Sequence, residues 1–424
     1  MIGATTTDVD EVQASLDGAE MTASGAPPEP PPERRFGRRA LIIGGGVVAT
    51  AAVVGGVLAV TGSGDSDASE DGGSGAAGVG TGDTTVRVLN WQAYIDPSED
   101  GATGTLDRFK DATGIDITYS ENFNDNNEVY NRELAPILSQ GQTVAYDIVC
   151  PTNWMAARLK GLGWLDPLPI DRIPNRVNLE ERFLTAAWDY GASYNLPWQA
   201  GITGIAYNPE LTGRQLTSIN DLFDPAFKGK VAMLTEMRDS VGLTMMGMGL
   251  DPSVVDEEGA LQAVAKIGEA SSSGQIRAFT GDEYLRSLES GDFVACVAWS
   301  GDVVQLQLTR PDIHFLIPQE GGMSWYDTMV IPKGSPNAYA AADFMNFVYD
   351  PVQAAQLTAY VQYVSPVKGV KEQLIKMGGD AAALADSPIL FPTAEDAARL
   401  KVFADLPADV DDAITAAFLK VTGG

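Results

Sequence analysis

The chain has 424 residues, 45% of them hydrophobic, which is enough for about two globular domains and excludes a membrane protein with many spans. Its 57 acidic and 28 basic residues give a formal charge of −29, so a cationic partner is favoured over nucleic acid or an anionic membrane. One histidine and two cysteines are too few for a typical zinc site. We therefore expect no metal and no other cofactor.

The N-terminal part of the chain has the composition of an export signal. Residues 1–39 are acidic and proline-rich, which predicts a disordered cytoplasmic tail. Four arginines then precede an uncharged segment at 40–62, which is about as long as the ~20 residues that span a bilayer. The pattern Arg38-Arg39-Ala40 resembles a twin-arginine export signal. A cleaved leader and a retained membrane anchor both fit this segment, and both place the bulk of the chain outside the cytoplasm.

Residues 63–83 are rich in glycine, serine and acids and predict a flexible linker. From Thr84 onward, strand-like and helix-like runs alternate. TTVRVLNW has the period of a strand, and LDRFKDATG that of a short helix ending at Gly114. Further strands are predicted at IDITYS, YDIVC, ITGIAYN, KGKVAML, VACVAW and DTMVIP, with helices between them. This alternation predicts an α/β sheet with crossover helices.

Aromatic and acidic residues repeatedly follow the predicted strands, at the sheet edge where α/β proteins bind ligands. These candidates are Trp91 and Tyr94 after VRVLN, Thr152 and Trp154 after DIVCP, Glu236 and Asp239 after VAMLT, Trp299 and Asp302 after VACVA, and Trp325 and Asp327 in QEGGMSWYDTMVIP. Aromatic faces attract alkylammonium groups, and carboxylates form charge-assisted hydrogen bonds with them. The pattern predicts a cleft for an organic cation.

Simpler roles are open for individual residues. A tryptophan at a strand end commonly packs against the core or its rim. Glu236 or Asp239 fits the N-cap of a helix starting near Val241, and Asp96 before Pro97 fits a turn. Cys150 and Cys296, both in apolar runs, fit two buried thiols or, in an oxidising compartment, a disulfide.

Six short motifs occur in an order that resembles the spermidine/putrescine-binding proteins of bacterial ABC importers: NWQAYIDP, YDIVCPTNWM, LTEMRDS, VAWSGD, EGGMSWYDTMVIP and QYVSP. The resemblance implies a two-lobed, periplasmic-binding-protein-like fold of type II that closes like a hinge. The predicted lobes are 84–200 plus 301–350, and 201–300 plus 351–424. The resemblance also implies an exported monomer, periplasmic or at the cell surface, that binds a polyamine and docks on membrane permease subunits.

The resemblance assigns roles by position. Trp91, Tyr94, Thr152 and Trp154 match two cleft loops, Glu236 and Asp239 match carboxylates that engage amines, Trp299 and Trp325 match aromatic walls, Asp327 matches the central acid, Tyr363 matches a polar cleft residue, and Asp302 matches an acid of the putrescine-type members. Gln92 and Ala93 depart from the spermidine-type motif, in which a glutamate stands at position 93. The choice among putrescine, spermidine and a related cation is therefore open.

Three other functions are compatible with parts of the sequence. The same fold could bind another small organic solute, although several acids and no obvious arginine disfavour a carboxylate ligand. An exported hydrolase could use two cleft carboxylates, but we find no nucleophile motif or metal cluster, and His314 fits a strand. A sensor could use the N-terminal tail, which contains no recognisable signalling domain. We expect a binding protein and no enzyme.

Overall fold

The computed structural model of the chain describes residues 85–99, 101–254 and 256–423. The predicted tail at 1–39, the export segment at 40–62 and the linker at 63–83 lie outside these residues. Within the described part, no helix is both long and apolar enough to cross a membrane.

The strands and helices alternate along the chain as the sequence predicts. The strands are β1 (Thr85–Trp91), β2 (Asp116–Phe123), β3 (Ile148–Val149), β4 (Leu165–Asp166), β5 (Asn195–Tyr207), β6 (Val231–Leu234), β7 (Ile276–Thr280), β8 (Ala295–Trp299), β9 (His314–Leu316), β10 (Gly322–Pro332) and β11 (Leu400–Lys401).

The α-helices are α1 (Thr105–Thr113), α2 (Asn126–Val129), α3 (Ala135–Leu138), α4 (Asn153–Gly161), α5 (Pro209–Thr212), α6 (Met237–Gly247), α7 (Glu257–Ser272), α8 (Tyr284–Ser290), α9 (Ser300–Gln307), α10 (Ala338–Val348), α11 (Pro351–Val361), α12 (Val370–Met377), α13 (Gly379–Leu384), α14 (Ala394–Arg399) and α15 (Ala408–Thr422). A π-helical turn at Tyr130–Leu134 joins α2 to α3, and short 3₁₀ turns occupy several connections, mainly between β4 and β5.

Local sequence signals explain where these elements begin and end. Helix α1 stops at Gly114, which adopts the left-handed conformation (φ 75°) and donates its backbone N–H to the Lys110 carbonyl. In β1, Val88 packs in one hydrophobic cluster of its half of the molecule, and Leu89 packs in another cluster of the same half, with Val149 and Met155. This alternation is the period-two pattern that predicted the strand.

The described strands form one sheet in the order β2-β1-β3-β10-β5-β8-β6-β7, with β4 and β11 beside β10 and β9 beside β5. Strand β1 runs parallel to β2 and β3 at one end, and β6 runs parallel to β7 and β8 at the other. The long strands β5 and β10 pair antiparallel in the middle. Two parallel α/β halves therefore meet at an antiparallel strand pair, which confirms the predicted α/β class.

Each half has its own hydrophobic core, and the two long strands contribute to both. In β5, Leu196 and Trp198 belong to the first core, whereas Ile205 to Tyr207 belong to the second. In β10, Met329 packs in the first core and Met323 in the second. Strands β5 and β10 thus cross directly from one half to the other, and the chain crosses once more between α13 and Phe403.

The cores divide the chain differently from the predicted lobe bounds. Helices α11 and α12 contribute Ala355, Leu357 and Leu374 to the first core, although the bounds assigned 351–424 to the second lobe. Within 351–424, only the last part, with Phe403 and Ile414, packs in the second core. Val303 and Ile313, which the bounds assigned to the first lobe, pack there too. The reason is tertiary: α11 is mostly apolar and buried, and it packs against α10 and α12, which belong to the first core.

Both cysteines are buried free thiols in the structure. Cys150 lies in the first core and Cys296 in the second. Of the two alternatives open from the sequence, the structure contains the pair of thiols.

Candidate functional site

A cavity of about 1610 Å³ lies where the two halves meet. All eleven residues singled out in the sequence line it: Trp91, Tyr94, Thr152, Trp154, Glu236, Asp239, Trp299, Asp302, Trp325, Asp327 and Tyr363. They are far apart in sequence and come together because the ends of β1, β3, β6 and β8, the middle of β10 and the end of α11 meet there. The cavity is the candidate functional site.

Asp327 has an ordered hydrogen-bond shell at the centre of β10. Its side chain is almost fully buried, with 3% of the residue exposed. The Tyr94 hydroxyl donates to one carboxylate oxygen at 3.0 Å and the Thr152 hydroxyl to the other at 2.8 Å. An irregularity in the β5–β10 register between Tyr326 and Thr328 is the kind of bulge that re-aims a side chain. Burial raises the pKa of Asp327 to about 7, although both donors oppose the shift.

Asp239 holds two tryptophans of the cavity wall, Trp299 and Trp325, in place. The Trp299 indole N–H donates to one oxygen of Asp239 at 2.8 Å, and the Thr203 hydroxyl donates to the other at 2.8 Å. The Trp325 indole N–H in turn donates to the Thr203 oxygen at 2.9 Å. Because all four groups are linked, neither indole can rotate without breaking a partly buried hydrogen bond. Burial raises the pKa of Asp239 to about 6.

Asp302 lies in the first turn of α9, directly after Trp299 ends β8. Two tyrosine hydroxyls donate to it, Tyr284 at 2.8 Å and Tyr363 at 2.6 Å. The Tyr284 oxygen also accepts the Trp299 backbone N–H at 3.0 Å. Strand β8 therefore brings an aromatic wall and a carboxylate to the same edge of the cavity, and Tyr284 joins the two.

Glu236 occupies the N-cap position of α6, but its side chain makes no capping hydrogen bond. The helix begins at Met237, earlier than the predicted start near Val241. Glu236 therefore has the predicted N-cap position, whereas Asp239 lies inside the helix, and neither side chain caps it. Instead, the Asn126 amide donates to one Glu236 oxygen at 3.2 Å. The other oxygen is buried and has no hydrogen-bond partner among the described residues. Burial and then the nearby Asp125 raise the pKa of Glu236 to about 8.

The two remaining tryptophans differ in what their rings can offer. Trp91 donates its indole N–H to the Cys150 carbonyl at 2.9 Å and lies edge-on to Trp299, with the ring centroids 6.4 Å apart. The ring of Trp154 is covered by the Arg238 guanidinium, 3.7 Å from its centroid. Trp154 lines the cavity, but that face of its ring is already occupied by a protein cation.

Asp96 is more than a turn residue. It is buried, accepts a hydrogen bond from the Thr105 hydroxyl and forms an ion pair with Arg108 at 3.1 Å. Both partners belong to α1, so Asp96 ties the first cleft loop to that helix.

Sequence reasoning missed several residues that hold the site together. Tyr284, Thr203 and Asn126 orient the three carboxylates Asp302, Asp239 and Glu236. Gly201 and Gly301 give space to aromatic rings, since a Cβ at these positions would lie 2.4 Å from the Trp325 ring and 2.3 Å from the Tyr363 ring. The motif LTEMRDS contained one usable signal for Arg238, a cation between two predicted site acids.

Comparison with known proteins agrees with this architecture. The model of the bacterial extracellular solute-binding protein family matches residues 105–417. The chain is 27% identical over 340 residues to spermidine/putrescine-binding periplasmic protein 1 of Haemophilus influenzae, covering 80% of this chain and 88% of that protein. It is 26% identical to the putrescine-binding periplasmic protein SpuD of Pseudomonas aeruginosa, covering 80% and 92%.

A solved structure shows the same fold. The spermidine/putrescine ABC transporter substrate-binding protein PotD of Streptococcus pneumoniae matches with a TM-score of 0.65 and 25% identity, over 80% of this chain and 99% of that one. The predicted two-lobed, periplasmic-binding-protein-like fold and the predicted resemblance are both confirmed. The chain belongs to the bacterial extracellular solute-binding protein family.

Proposed function

We propose that this protein is the extracytoplasmic receptor of a polyamine ABC importer, which binds putrescine or spermidine between its lobes and delivers it to membrane permease subunits. The charge of the cavity wall carries this proposal. Of the residues that line it, two are basic, Arg238 and Arg286, and twelve are acidic: Asp96, Glu99, Asp107, Glu121, Glu128, Glu236, Asp239, Asp282, Glu283, Asp302, Asp327 and Asp405. Such a wall favours an organic cation over a carboxylate ligand. The names of the two relatives support the same ligand class.

The contacts suggest how each group would act. Asp327 is the central partner for an ammonium, because Tyr94 and Thr152 hold its carboxylate in place. The unpartnered Glu236 oxygen is a second acceptor. Trp299 and Trp325 cover the methylene chain between the amines and exclude water. The hinge is the β5–β10 pair, around which the lobes would close on the ligand.

Binding is the whole activity in this proposal. Asp239 and Asp302 each accept two side-chain hydrogen bonds, one from a wall residue and one from a residue that does not line the cavity. This use of both carboxylates suits a receptor better than a pair of proton-transfer groups. We further propose that the protein is exported, remains periplasmic or attached to the cell surface, and acts as a monomer.

Isothermal titration with putrescine, spermidine and spermine tests the proposal. We expect one-to-one binding of at least one polyamine, because the ammonium groups meet buried acids. Glycine betaine and a neutral sugar are the controls, and neither is expected to give heat. If folded, ligand-free protein gives no heat of binding with any of the three polyamines, the proposed ligand class is overturned.

Polyamine affinity should rise with pH. The cavity carboxyl groups with raised pKa values are Glu236 at about 8, Asp327 at about 7, and Asp239 and Asp282 at about 6. A bound ammonium favours the ionised carboxylate, so binding releases the protons that these groups hold. Alkylamines, like lysine with its pKa of ~10.4, stay charged over this range. Each released proton raises affinity about tenfold per pH unit.

Titrations at about pH 5 and about pH 8, in buffers of different ionisation enthalpy, measure both the affinity and the number of protons released. We expect affinity to be at least about tenfold higher at the upper pH. Without ligand, the stability contributed by these raised pKa values is present below the ordinary carboxyl pKa and is lost as pH rises through about 6 to 8. Affinity that is flat in pH would show that the four groups are not coupled to the ligand.

A further inference from the structure

Arg238 makes contacts that join the two lobes. It lies in α6, whose neighbours Met237 and Val241 pack in the second core. Its guanidinium covers the ring of Trp154 in α4, whose neighbours Met155 and Ala156 pack with the first lobe. The stack therefore crosses from one lobe to the other at the wall of the cavity.

The last helix of the chain holds this contact from the second lobe. Asp411 in α15 binds the Arg238 guanidinium at 2.7 Å, and both side chains are mostly buried, at 12% and 13% exposed. The next residue, Asp412, lies 3.6 Å from Arg158 of α4. Helix α15 packs in the second core through Ile414 and Phe418. The acidic N-terminal part of α15 thus lies beside Arg158, which belongs to the opposite lobe.

We infer that Trp154, Arg238 and Asp411 form an interlobe latch that holds the cleft closed and sets the rate at which the ligand leaves. Only the identity of the ligand in this inference rests on the proposed function. The latch also gives Trp154 a role different from the predicted one, since its covered face contacts Arg238 and not the solute.

The physical argument is one of differential contact. When the lobes separate, Trp154 must leave the guanidinium, while Arg238 and Asp411 stay together on the second lobe. A cation over an indole is most stable where water is excluded, so opening exposes the stack and loses its energy. An interaction made only in the closed state shifts the population toward that state. It therefore slows ligand release and leaves the encounter of ligand with the open cleft unchanged.

Stopped-flow kinetics with putrescine on the full chain test the latch. Trp154→Leu and Asp411→Asn are each expected to speed dissociation about tenfold. Because they also raise the fraction of open, ligand-free protein, they are expected not to slow association. Trp154→Phe keeps an aromatic face and should lie between wild type and Trp154→Leu. The double variant Trp154→Leu with Asp411→Asn should speed dissociation by less than the product of the two single effects, because both changes act on one contact.

Asp343→Asn is the matched control. Asp343 also pairs with an arginine, Arg172 at 2.5 Å. Both lie in the first lobe, since their chain neighbours Ile173 and Phe344 pack in the first core. This variant should keep the wild-type dissociation rate. Additive effects of the two latch variants, or equal acceleration in Asp343→Asn, would overturn the inference.

A distance measurement separates this inference from the proposed function. Spin labels at Ala112→Cys in α1 and Gln262→Cys in α7 report the lobe separation by pulsed electron resonance, with and without putrescine. Asp411→Asn should shift the distribution to longer distances even without ligand. If wild type binds no putrescine but the shift occurs, the ligand is wrong and the latch stands. If putrescine binds while distances and dissociation rates match wild type, the latch is wrong.

Discussion

Replacing Asp327 with alanine is expected to weaken putrescine binding by at least about a hundredfold. The change leaves a buried ammonium without its central carboxylate, and breaking a buried ion pair in this way typically costs about 3–5 kcal/mol. It also leaves the Tyr94 and Thr152 hydroxyls, which donate to Asp327 at 3.0 and 2.8 Å, without their acceptor. Isothermal titration measures the loss.

Asp327→Asn separates charge from shape. It keeps the side-chain volume, so a comparable loss of affinity would assign the effect to charge. In ligand-free protein near neutral pH this variant should melt at or above the wild-type temperature, because the carboxyl it removes has a pKa raised to about 7 by burial. Wild-type affinity in both variants would show that Asp327 is not the ammonium partner.

Gly301→Ala should impair both folding stability and binding. A Cβ at this position would lie 2.3 to 2.6 Å from three atoms of the Tyr363 ring, so the ring must move. That movement breaks the 2.6 Å hydrogen bond from Tyr363 to Asp302 and disturbs the edge contact between Tyr363 and Tyr94. Overpacking of this kind typically costs about 1–3 kcal/mol. We expect a lower midpoint of urea unfolding and affinity reduced by about tenfold or more.

Two further variants show whether the ring contact is responsible. Adding Tyr363→Ala to Gly301→Ala creates space for the new methyl group, so it should recover stability relative to Gly301→Ala without restoring affinity. Gly161→Ala in α4 is the control, since a Cβ there meets nothing within 4 Å and alanine favours helix. A Gly301→Ala variant that unfolds and binds like wild type would mean that Tyr363 is free to shift.

The strand pattern of this protein could be predicted closely from sequence, and with it the composition of the site. Val88 and Leu89 pack in two different hydrophobic clusters of the same half, as the period of TTVRVLNW requires. Because an α/β sheet presents its ligand site at the carboxyl ends of strands, residues such as Trp91 and Trp299 could be placed at one edge before any contact was known. Their presence on one cavity wall confirms that placement.

The partners of these residues could not be predicted in the same way. Glu236 and Trp154 each had a plausible local role, yet their side chains contact Asn126 and Arg238, which are 110 and 84 positions away. Tyr284 shows no sign in α8 that its hydroxyl joins Trp299 to Asp302. Such contacts depend on how separate elements pack. Residue spacing predicts which side chains are neighbours within one helix or strand, but not which distant elements meet.

The sequence by itself determined the alternation of strands and helices, the acidic charge and the aromatic and acidic residues of the cleft, because strand period and residue chemistry are local properties. Only the tertiary structure decided which carboxylates are fixed by hydroxyls, which glycines leave space for rings, and that α11 packs in the first core while α15 packs in the second. These outcomes depend on close packing between elements distant in the chain, where a shift of a few tenths of an ångström decides which contact forms.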